Sequence, residues 1–173
     1  MEKLFSQSIE DLRNVYKFSE GELEILETVD KAADEIALSE LECYLERKLN
    51  KEAQNIAKKY GLFKIPVKKE YGGFGANPLI SALSEARLGQ MSLGFAITFN
   101  VQVFLGELTI QRWGTEQQIE KYLKPATNGD IILAYALTEP EFGSEPTALK
   151  TSFEEKGGKH VINGAKYLIT NGS

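Results

Sequence analysis

The stretch that decides the fold occupies residues 131–173 and reads IILAYALTEPEFGSEPTALKTSFEEKGGKHVINGAKYLITNGS. It opens with an apolar run over residues 131–137, which is typical of a buried strand. The run ends at a turn containing Pro140, which cannot donate to a strand ladder and pushes the residue before it into an extended conformation. The first element of this stretch is therefore predicted to be a strand with a fixed end.

Two further strands are predicted behind this turn. Residues 149–155 and residues 160–162 have strand-like composition and are joined through Gly157-Gly158. Asn163-Gly164 is a type I′ turn signal. It predicts a hairpin that folds residues 160–162 back onto residues 165–170.

The polar groups of this stretch allow two interpretations. Hydroxyl groups of Thr138, Ser144 and Thr170 and the ring of Tyr135 lie at predicted strand ends, where a ligand could bind. Hydroxyl groups at such positions more commonly cap turns. This stretch offers neither a cluster of metal-binding residues nor a nucleophile–base–acid triad.

Composition narrows the class of protein. The chain has 173 residues and a net charge of −5, with no basic cluster, which argues against nucleic-acid binding. No apolar run is expected to reach membrane-spanning length. Cys43 and His160 are the only residues of their types. A disulfide within the chain and a cysteine metal cage are therefore excluded, and His160 is interpreted as a solvent-facing strand residue. An N-terminus without a signal-peptide core predicts a cytoplasmic location.

The first part of the chain is predicted to be helical. Residues 1–18 predict a short helix or an arm. Ser19 and Glu22 form a capping-box pattern ahead of apolar residues at helical spacing, which predicts a helix to about Leu38. A second helix or a bent extension is predicted from the apolar residues that follow, which are Leu41, Leu45, Leu49, Ala53, Ile56, Ala57 and Tyr60.

Two more helix starts and one buried helix complete this part. Asn77-Pro78 and Thr115 with Gln118 are helix-start signals. Residues 95–110 are apolar on nearly every side, which predicts a helix in the centre of a bundle. Its polar exceptions, Thr98, Asn100 and Gln102, are interpreted as satisfying local backbone groups.

The sequence resembles the acyl-CoA dehydrogenase family. The resemblance is carried by YALTEP at residues 135–140 with GSE at 143–145, and by NGAKYLITNG at residues 163–172. Residues 61–75 and 114–123 resemble further family segments. The resemblance as a whole covers the chain from about Ser19 to Ser173.

The resemblance implies an α+β, mainly α fold. An N-terminal helical bundle over residues 1–130 is followed by the first strands of a β-barrel-like, flavin-binding domain, which is partial and truncated over residues 131–173. The helix corresponding to residues 95–110 lines the acyl pocket in the family.

By resemblance, the function is that of a FAD-dependent oxidoreductase of fatty acid metabolism, which removes hydrogen from the α,β carbons of acyl-CoA thioesters. Ser144 is also expected to face the acyl-CoA substrate. The residues expected to contact FAD are Tyr135, Leu137, Thr138, Gly143, Ser144, Leu168, Ile169 and Thr170.

Two positions depart from the family pattern, since Leu168 replaces a tryptophan beside the flavin and Glu145 replaces an aspartate. The family's catalytic base lies in a C-terminal domain beyond this sequence, so no catalytic residue is assigned, and the chain is expected to be inactive alone. The expected partners are acyl-CoA, an electron-transfer flavoprotein, and a C-terminal half or further copies of the chain. The alternatives are a non-catalytic interaction module or split subunit, and a flavin oxidase or monooxygenase of the same fold.

Overall fold

The structure is a computed structural model and describes residues 9–13 and 15–172. Most of the chain up to residue 127 is helical, and an antiparallel hairpin follows. The helices are α1 (Glu20–Glu46), α2 (Lys51–Tyr60), α3 (Pro78–Met91), α4 (Leu93–Trp113) and α5, which joins the segments Glu116–Gln118, Ile119–Leu123 and Lys124–Thr127. Short 3-10 turns occur at Leu62–Lys64, Lys69–Tyr71 and Pro146–Ala148, and the strands are β1 (Ser152–Lys156) and β2 (Lys159–Asn163). The predicted α+β, mainly α fold class is confirmed.

The helix starts predicted from local sequence are confirmed. The Ser19 hydroxyl accepts from the Glu22 amide at 3.3 Å, and the Glu22 carboxylate accepts from the Ser19 amide at 2.8 Å. Asn77 caps α3, and Thr115 forms a capping box at the start of α5. These predictions hold because a cap depends only on residues within one helical turn. The predicted helix or arm in residues 1–18 lies partly outside the described residues, and residues 9–12 are helical.

Helix α1 is longer than predicted. It continues to Glu46 instead of ending near Leu38, because no breaker interrupts it before Arg47, whose left-handed conformation at φ 53° ends the helix. The buried residues of α1 stop at Ile36, so its last turns extend past the core. Of the residues from which a second helix or a bent extension is predicted, Leu41 and Leu45 lie in α1, Leu49 lies between α1 and α2, and residues 53–60 lie in α2. The three leucines are 67%, 70% and 58% exposed.

The main core lies between α1, α2 and the first half of α4. It is built from small and aromatic side chains, among them Val29, Ala33, Ala57, Phe63 and Phe99. The rings of Phe63 and Phe99 stack with centroids 6.3 Å apart. This core fixes α4, the helix from which the candidate site is built.

Helix α3 is joined to α1 by a buried arginine. The Arg87 side chain is completely buried, and its guanidinium donates to the carboxylates of Asp30 and Asp34 on α1. Both carboxylates keep some exposure to water, which lowers the desolvation penalty of the cluster. The arginine therefore fixes the pairing of α3 with α1.

Helix α4 corrects two predictions. It has 21 residues with a mean hydropathy of 1.5 in its most apolar window, which meets the length and composition of a membrane span, contrary to the expectation from sequence. The buried side of this helix, including Phe99, packs in the core, as in a core helix of a globular protein. Burial is not complete, however, because Leu93, Ile97 and Leu105 are 68%, 48% and 40% exposed.

The hydrogen bonding of α4 also changes along its length. It is α-helical over Leu93–Asn100, π-helical over Val101–Glu107 and α-helical again over Leu108–Trp113. A π-helical turn joins residues five apart and is found frequently at functional sites. The side chains of Gln102 and Glu107, five residues apart, bond to one another here.

The strand-rich part is confirmed at one hairpin and wrong at two places. Strands β1 and β2 pair antiparallel across Gly157-Gly158, whose positive φ angles of 58° and 73° suit a tight turn. His160 lies on β2 and is exposed, as predicted. Residues 131–137 form no strand, because no other described segment pairs with them. Asn163-Gly164 starts no second hairpin, because β2 takes β1 as its partner instead of residues 165–170.

Candidate functional site

The structure brings two segments of the sequence together. The first signature segment is residues 131–145, which contains YALTEP and GSE, and the second signature segment is residues 163–172, NGAKYLITNG. The Lys166 ammonium donates to the Leu137 carbonyl at 2.8 Å and to the Glu139 carboxylate at 3.0 Å. Beside it, the Tyr167 amide donates to the Thr138 carbonyl at 2.9 Å. The second segment therefore holds three successive residues of the first without forming a β-ladder.

Glu139 is the anchor of this junction. Its carboxylate is 6% exposed and accepts from the amides of Lys150 and Thr151 at 2.7 and 2.9 Å. The Thr151 side chain, these amides and Lys166 stabilise the charged form and lower the pKa of Glu139 from 4.5 to about 2. The carboxylate is thus ionised at neutral pH and ties three separate parts of the chain together.

A second junction fastens the same segment to α4. The Gln102 side chain is completely buried, and its oxygen accepts from the Leu133 amide at 2.6 Å. Its nitrogen donates to Glu107 at 3.0 Å and lies 3.3 Å from the carbonyl oxygens of Ala126 and Ile131. None of these backbone partners is local in sequence, so the expectation that Gln102 satisfies local groups is wrong.

Glu107 is a buried neutral acid in this junction. It has no exposed surface, and burial raises its pKa from 4.5 to about 9, although the bond from Gln102 acts in the opposite direction. Its second oxygen, Oε2, has no hydrogen-bond partner among the described residues. The carboxyl group is therefore protonated at pH 7.

Asn171 completes the second junction from the other side. Its side-chain amide donates to the Leu133 carbonyl at 3.1 Å and to the Thr98 carbonyl at 3.2 Å. Asn171 has a left-handed backbone, with φ 62°, a conformation that asparagine adopts more readily than most residues. The end of the second signature segment is thereby fastened to both α4 and the first segment.

The residues predicted to contact a flavin lie on this framework with differing exposure. Tyr135 and Leu137 are each 38% exposed, and Thr138 is half-buried beneath Gly143. Leu168 is 78% exposed and has a left-handed backbone at φ 53°. The remaining three residues are Ser144, which is exposed, and Ile169 and Thr170, which are half-buried.

The framework joins Leu137 and Thr138 directly to the second segment. For Ser144 and Thr170 the structure records no hydrogen bond of the hydroxyl group, and the flavin-contact roles of all these residues stay predictions. No group of three or more histidine, cysteine or carboxylate residues suited to a metal ion occurs in residues 9–13 and 15–172.

A family comparison agrees with the helical part of this architecture. Residues 19–130 match the model of the acyl-CoA dehydrogenase N-terminal domain. The chain belongs to the acyl-CoA dehydrogenase family. Because the matched residues end before residue 131, the family assignment rests on the helices, and the junctions described above extend beyond the matched domain.

Relatives of this acyl-CoA dehydrogenase family chain include proteins named as dehydrogenases and proteins named as reductases. An acyl-CoA dehydrogenase of Bacillus subtilis is 38% identical over 114 residues, which are 66% of this chain and 30% of the relative. A 3-(aryl)acrylate reductase of Clostridium sporogenes is 34% identical over 168 residues, which are 96% of this chain and 41% of the relative. The chain thus spans less than half the length of these relatives.

The fold of this family member also matches solved structures. A glutaryl-CoA dehydrogenase of Mycobacterium smegmatis in complex with FADH2 superposes with a TM-score of 0.82 at 29% identity, covering 90% of this chain and 40% of that one. The match includes most of the residues beyond 130.

Sequence reasoning missed the residues that build the two junctions. Gln102 was noticed only as a polar exception in an apolar helix, and Glu107, Glu139, Lys166 and Asn171 were given no individual role. A glutamine and a glutamate five residues apart in a mostly apolar stretch were the available signal for the π-helical pair. The bonds made by Lys166 and Asn171 carried no local signal, because their partners are distant in sequence.

A cavity beside α1 does not include the candidate site. It has a volume of about 440 Å³ and is lined by residues of α1 and of the loop before α3, including Ile25, Leu62 and Phe74. None of the predicted flavin-contact residues lines it. This cavity is therefore separate from the candidate site.

Proposed function

We propose that this chain is the N-terminal part of a FAD-dependent oxidoreductase that acts on the α,β carbons of acyl-CoA thioesters. The observation that carries the proposal is the joining of the two signature segments through Lys166 and Tyr167. Segments that resemble a flavin-binding signature form one continuous surface here, although they are about 30 residues apart. The solved relative in complex with FADH2 supports the choice of cofactor.

The residues present fit a flavin in chemistry. Tyr135 and Leu137 offer partly exposed apolar surface on a backbone that is fixed at both junctions. Leu168, which belongs to the second segment, is also exposed and can cover a ring face by apolar packing. Its aliphatic side chain does not provide the aromatic stacking of a tryptophan.

The protein groups would hold FAD in two regions. Thr138 and Thr170 would donate hydroxyl hydrogen bonds to the ring system, and Ser144 would bind the pyrophosphate and face the acyl chain. When bound, FAD would supply the acceptor for the substrate's β-hydrogen, transferred as hydride. A hydroxyl donor beside the ring is favourable because the reduced ring gains negative charge.

We assign no catalytic base to this chain. Glu139 is unsuitable, because its buried carboxylate already accepts three hydrogen bonds and has a pKa of about 2. Glu107 is buried within α4 and bonded to Gln102. Neither acid is therefore proposed as the base. We expect the 173-residue chain to turn over no acyl-CoA, and any turnover by the purified chain would refute this expectation.

Flavin binding tests the proposal directly. The purified chain is titrated with FAD while flavin fluorescence and visible absorption are recorded. We expect quenching and a shifted, structured absorption band, and a weaker affinity for Thr170→Val. Thr109→Val, the same change at an exposed position of α4, is the matched control and should bind like the wild type. Binding that is equally affected by both changes, or absent from the wild type, would contradict the proposed site.

The remaining features of the proposal concern the whole protein. An electron-transfer flavoprotein as redox partner and a cytoplasmic location follow from the family and from the sequence as expectations. The reductase among the relatives extends the proposal to hydride transfer in either direction between flavin and substrate carbons. Comparing reduction of added flavin by saturated acyl-CoA with oxidation of reduced flavin by enoyl-CoA, in a full-length relative carrying these segments, would decide the direction.

A second candidate function is an interaction module or split subunit. It is favoured by the exposed apolar side chains at the end of α1, including Leu41 at 67% and Tyr44 at 76% exposure. These lie beside a groove of about 850 Å³ that also includes Leu93 and Ile97 of α4. Surfaces of this kind commonly mark interfaces. Sedimentation of the chain alone, and with a polypeptide covering the rest of a relative, would test it, since a monomer that ignores that polypeptide contradicts an interaction role.

A further inference from the structure

Leu133 has an unusual position in the fold. It lies two residues before Tyr135, in a segment that forms no β-ladder, yet both of its backbone polar groups are bonded. Side chains from two other parts of the chain make these bonds. An extended segment without a strand partner needs such side-chain bonds if its backbone is to be held in one place.

The amide side of Leu133 is held by Gln102. This side chain uses its oxygen for the Leu133 amide and its nitrogen for Glu107, Ala126 and Ile131. A buried carboxamide with acceptors and a donor on every side has one favourable orientation. Gln102 is therefore a fixed reference point in α4 and not a mobile surface group.

The carbonyl side of Leu133 is held by Asn171. The Asn171 side chain donates at once to Leu133 and to Thr98, which lies one turn before Gln102 on α4. Close packing adds to the hydrogen bonds, since a β-carbon placed on Gly106 would lie 2.8 Å from that of Leu133. Three positions on one face of α4, at 98, 102 and 106, thus receive the same short stretch of chain.

We propose that Gln102 and Asn171 are positioning residues which clamp Leu133 onto α4 and thereby set where residues 135–138 stand against the flavin. The role of the flavin in this proposal rests on the proposed function, whereas the clamping of Leu133 does not. The geometric argument is that Leu137 and Thr138 are fixed at the far end by Lys166 and Tyr167. With Leu133 fixed at the near end, the intervening residues have little freedom to move.

The clamp gives the second signature segment a positioning role in addition to its predicted contacts with the flavin. Asn171 follows Thr170 directly, so the same turn that presents Thr170 also fastens the first segment. A loss of the Asn171 amide would release the Leu133 carbonyl and the turn at Thr170 together. The flavin contacts predicted for both segments therefore depend on the Asn171 side chain.

Hydrogen exchange tests the clamp without any ligand. Amide exchange of Leu133 is measured by NMR on the full 173-residue chain and divided by that of Val29, which is completely buried in α1. Gln102→Met removes the carboxamide at similar length, and we expect the ratio to rise about tenfold. Asn100→Leu makes the corresponding change two residues away, where the side chain bonds Glu85 instead, and should leave the ratio unchanged. A general loss of stability would instead speed the exchange of the Leu133 and Val29 amides together and leave their ratio unchanged.

Asn171→Asp provides a variant that keeps shape and tolerates the left-handed backbone while losing the amide donors. It remains informative if Gln102→Met does not fold. We expect faster exchange over residues 133–138 in this variant, with Val29 unchanged. An unprotected Leu133 amide in the wild type, or exchange that neither substitution alters, would overturn the clamp.

Flavin binding separates the clamp from the proposed function. If the wild type binds FAD, Asn171→Asp should weaken binding about tenfold or more and alter the visible band of the bound flavin, whereas Asn100→Leu should not. Unchanged affinity and band in a variant with a released segment would overturn the positioning role. If the wild type binds no FAD while the exchange pattern is as expected, the clamp stands and the proposed cofactor site fails.

Discussion

The replacement Glu107→Gln should change the pH dependence of folding more than any other single substitution in the described residues. Glu107 is fully buried, accepts one bond from Gln102, and has one oxygen without a partner. Burial raises its pKa to about 9, so the folded protein carries the neutral acid at pH 7. The amide of glutamine resembles this neutral acid in shape but cannot ionise.

The sign of the effect follows from proton linkage. Below the unfolded pKa of about 4.5, the acid is neutral in both states and folding is independent of pH. Above that value, the unfolded chain releases the proton while the folded chain retains it up to about pH 9. The free energy of unfolding of the wild type should therefore fall as pH rises, by about 1.4 kcal/mol per pH unit.

The variant should lack this slope. Between pH 5.5 and pH 7.5 the free energy of unfolding of Glu107→Gln, relative to the wild type, should rise by about 2.7 kcal/mol. An additional unsatisfied N–H of the amide costs about 1 to 3 kcal/mol, but this offset is the same at both pH values and cancels in the comparison.

Urea unfolding followed by far-ultraviolet circular dichroism at both pH values measures this difference. Glu42→Gln, an exposed carboxylate on α1, is the control for removing one negative charge. Curves of wild type and Glu107→Gln that remain parallel between the two pH values would refute the reasoning. They would mean that the carboxyl group is ionised in the folded state, and so reaches water or a cation.

Three further predictions concern the framework. Arg87→Met should lower the free energy of unfolding by about 2–3 kcal/mol in urea titrations, because the two α1 carboxylates lose a buried partner, whereas Arg112→Met at an exposed position should change it little. Ser19→Ala should destabilise the chain by about 1 kcal/mol in thermal unfolding, and an unchanged midpoint would contradict the cap's role. Because the pKa of Glu139 is lowered to about 2, its contribution is complete above pH 4.5 and lost as pH falls toward 2. The urea midpoint of the wild type should thus fall across that range, and that of Glu139→Gln should start lower and fall less.

The failed strand prediction shows why part of the site was invisible in sequence. Residues 131–137 have the composition of a buried strand, but a strand exists only where another segment supplies its hydrogen bonds. In the structure these bonds come from the Gln102 and Asn171 side chains. A sequence pattern describes the preference of a segment, and the partner that satisfies it can lie anywhere in the chain.

The exposed leucines at the end of α1 and the exposed apolar residues of α4 have a similar explanation. Leu41 and Leu45 continue the helical spacing of α1 but lie beyond the residues that pack on it. Leu93 and Ile97 are apolar members of a helix that is buried on one side only. Periodicity identifies a face that could be buried, while the number and position of neighbouring elements decide whether it is.

The sequence by itself determined what depends on adjacent residues: the caps at Ser19, Asn77 and Thr115, the glycine turn between β1 and β2, and the motifs that resemble one enzyme family. Only the tertiary structure decided how the two signature segments meet and how they are fastened to α4. The reason is physical, since caps and turns close over one turn of chain, whereas the bonds that Gln102 and Asn171 make to backbone groups cross separations of 24 to 73 residues.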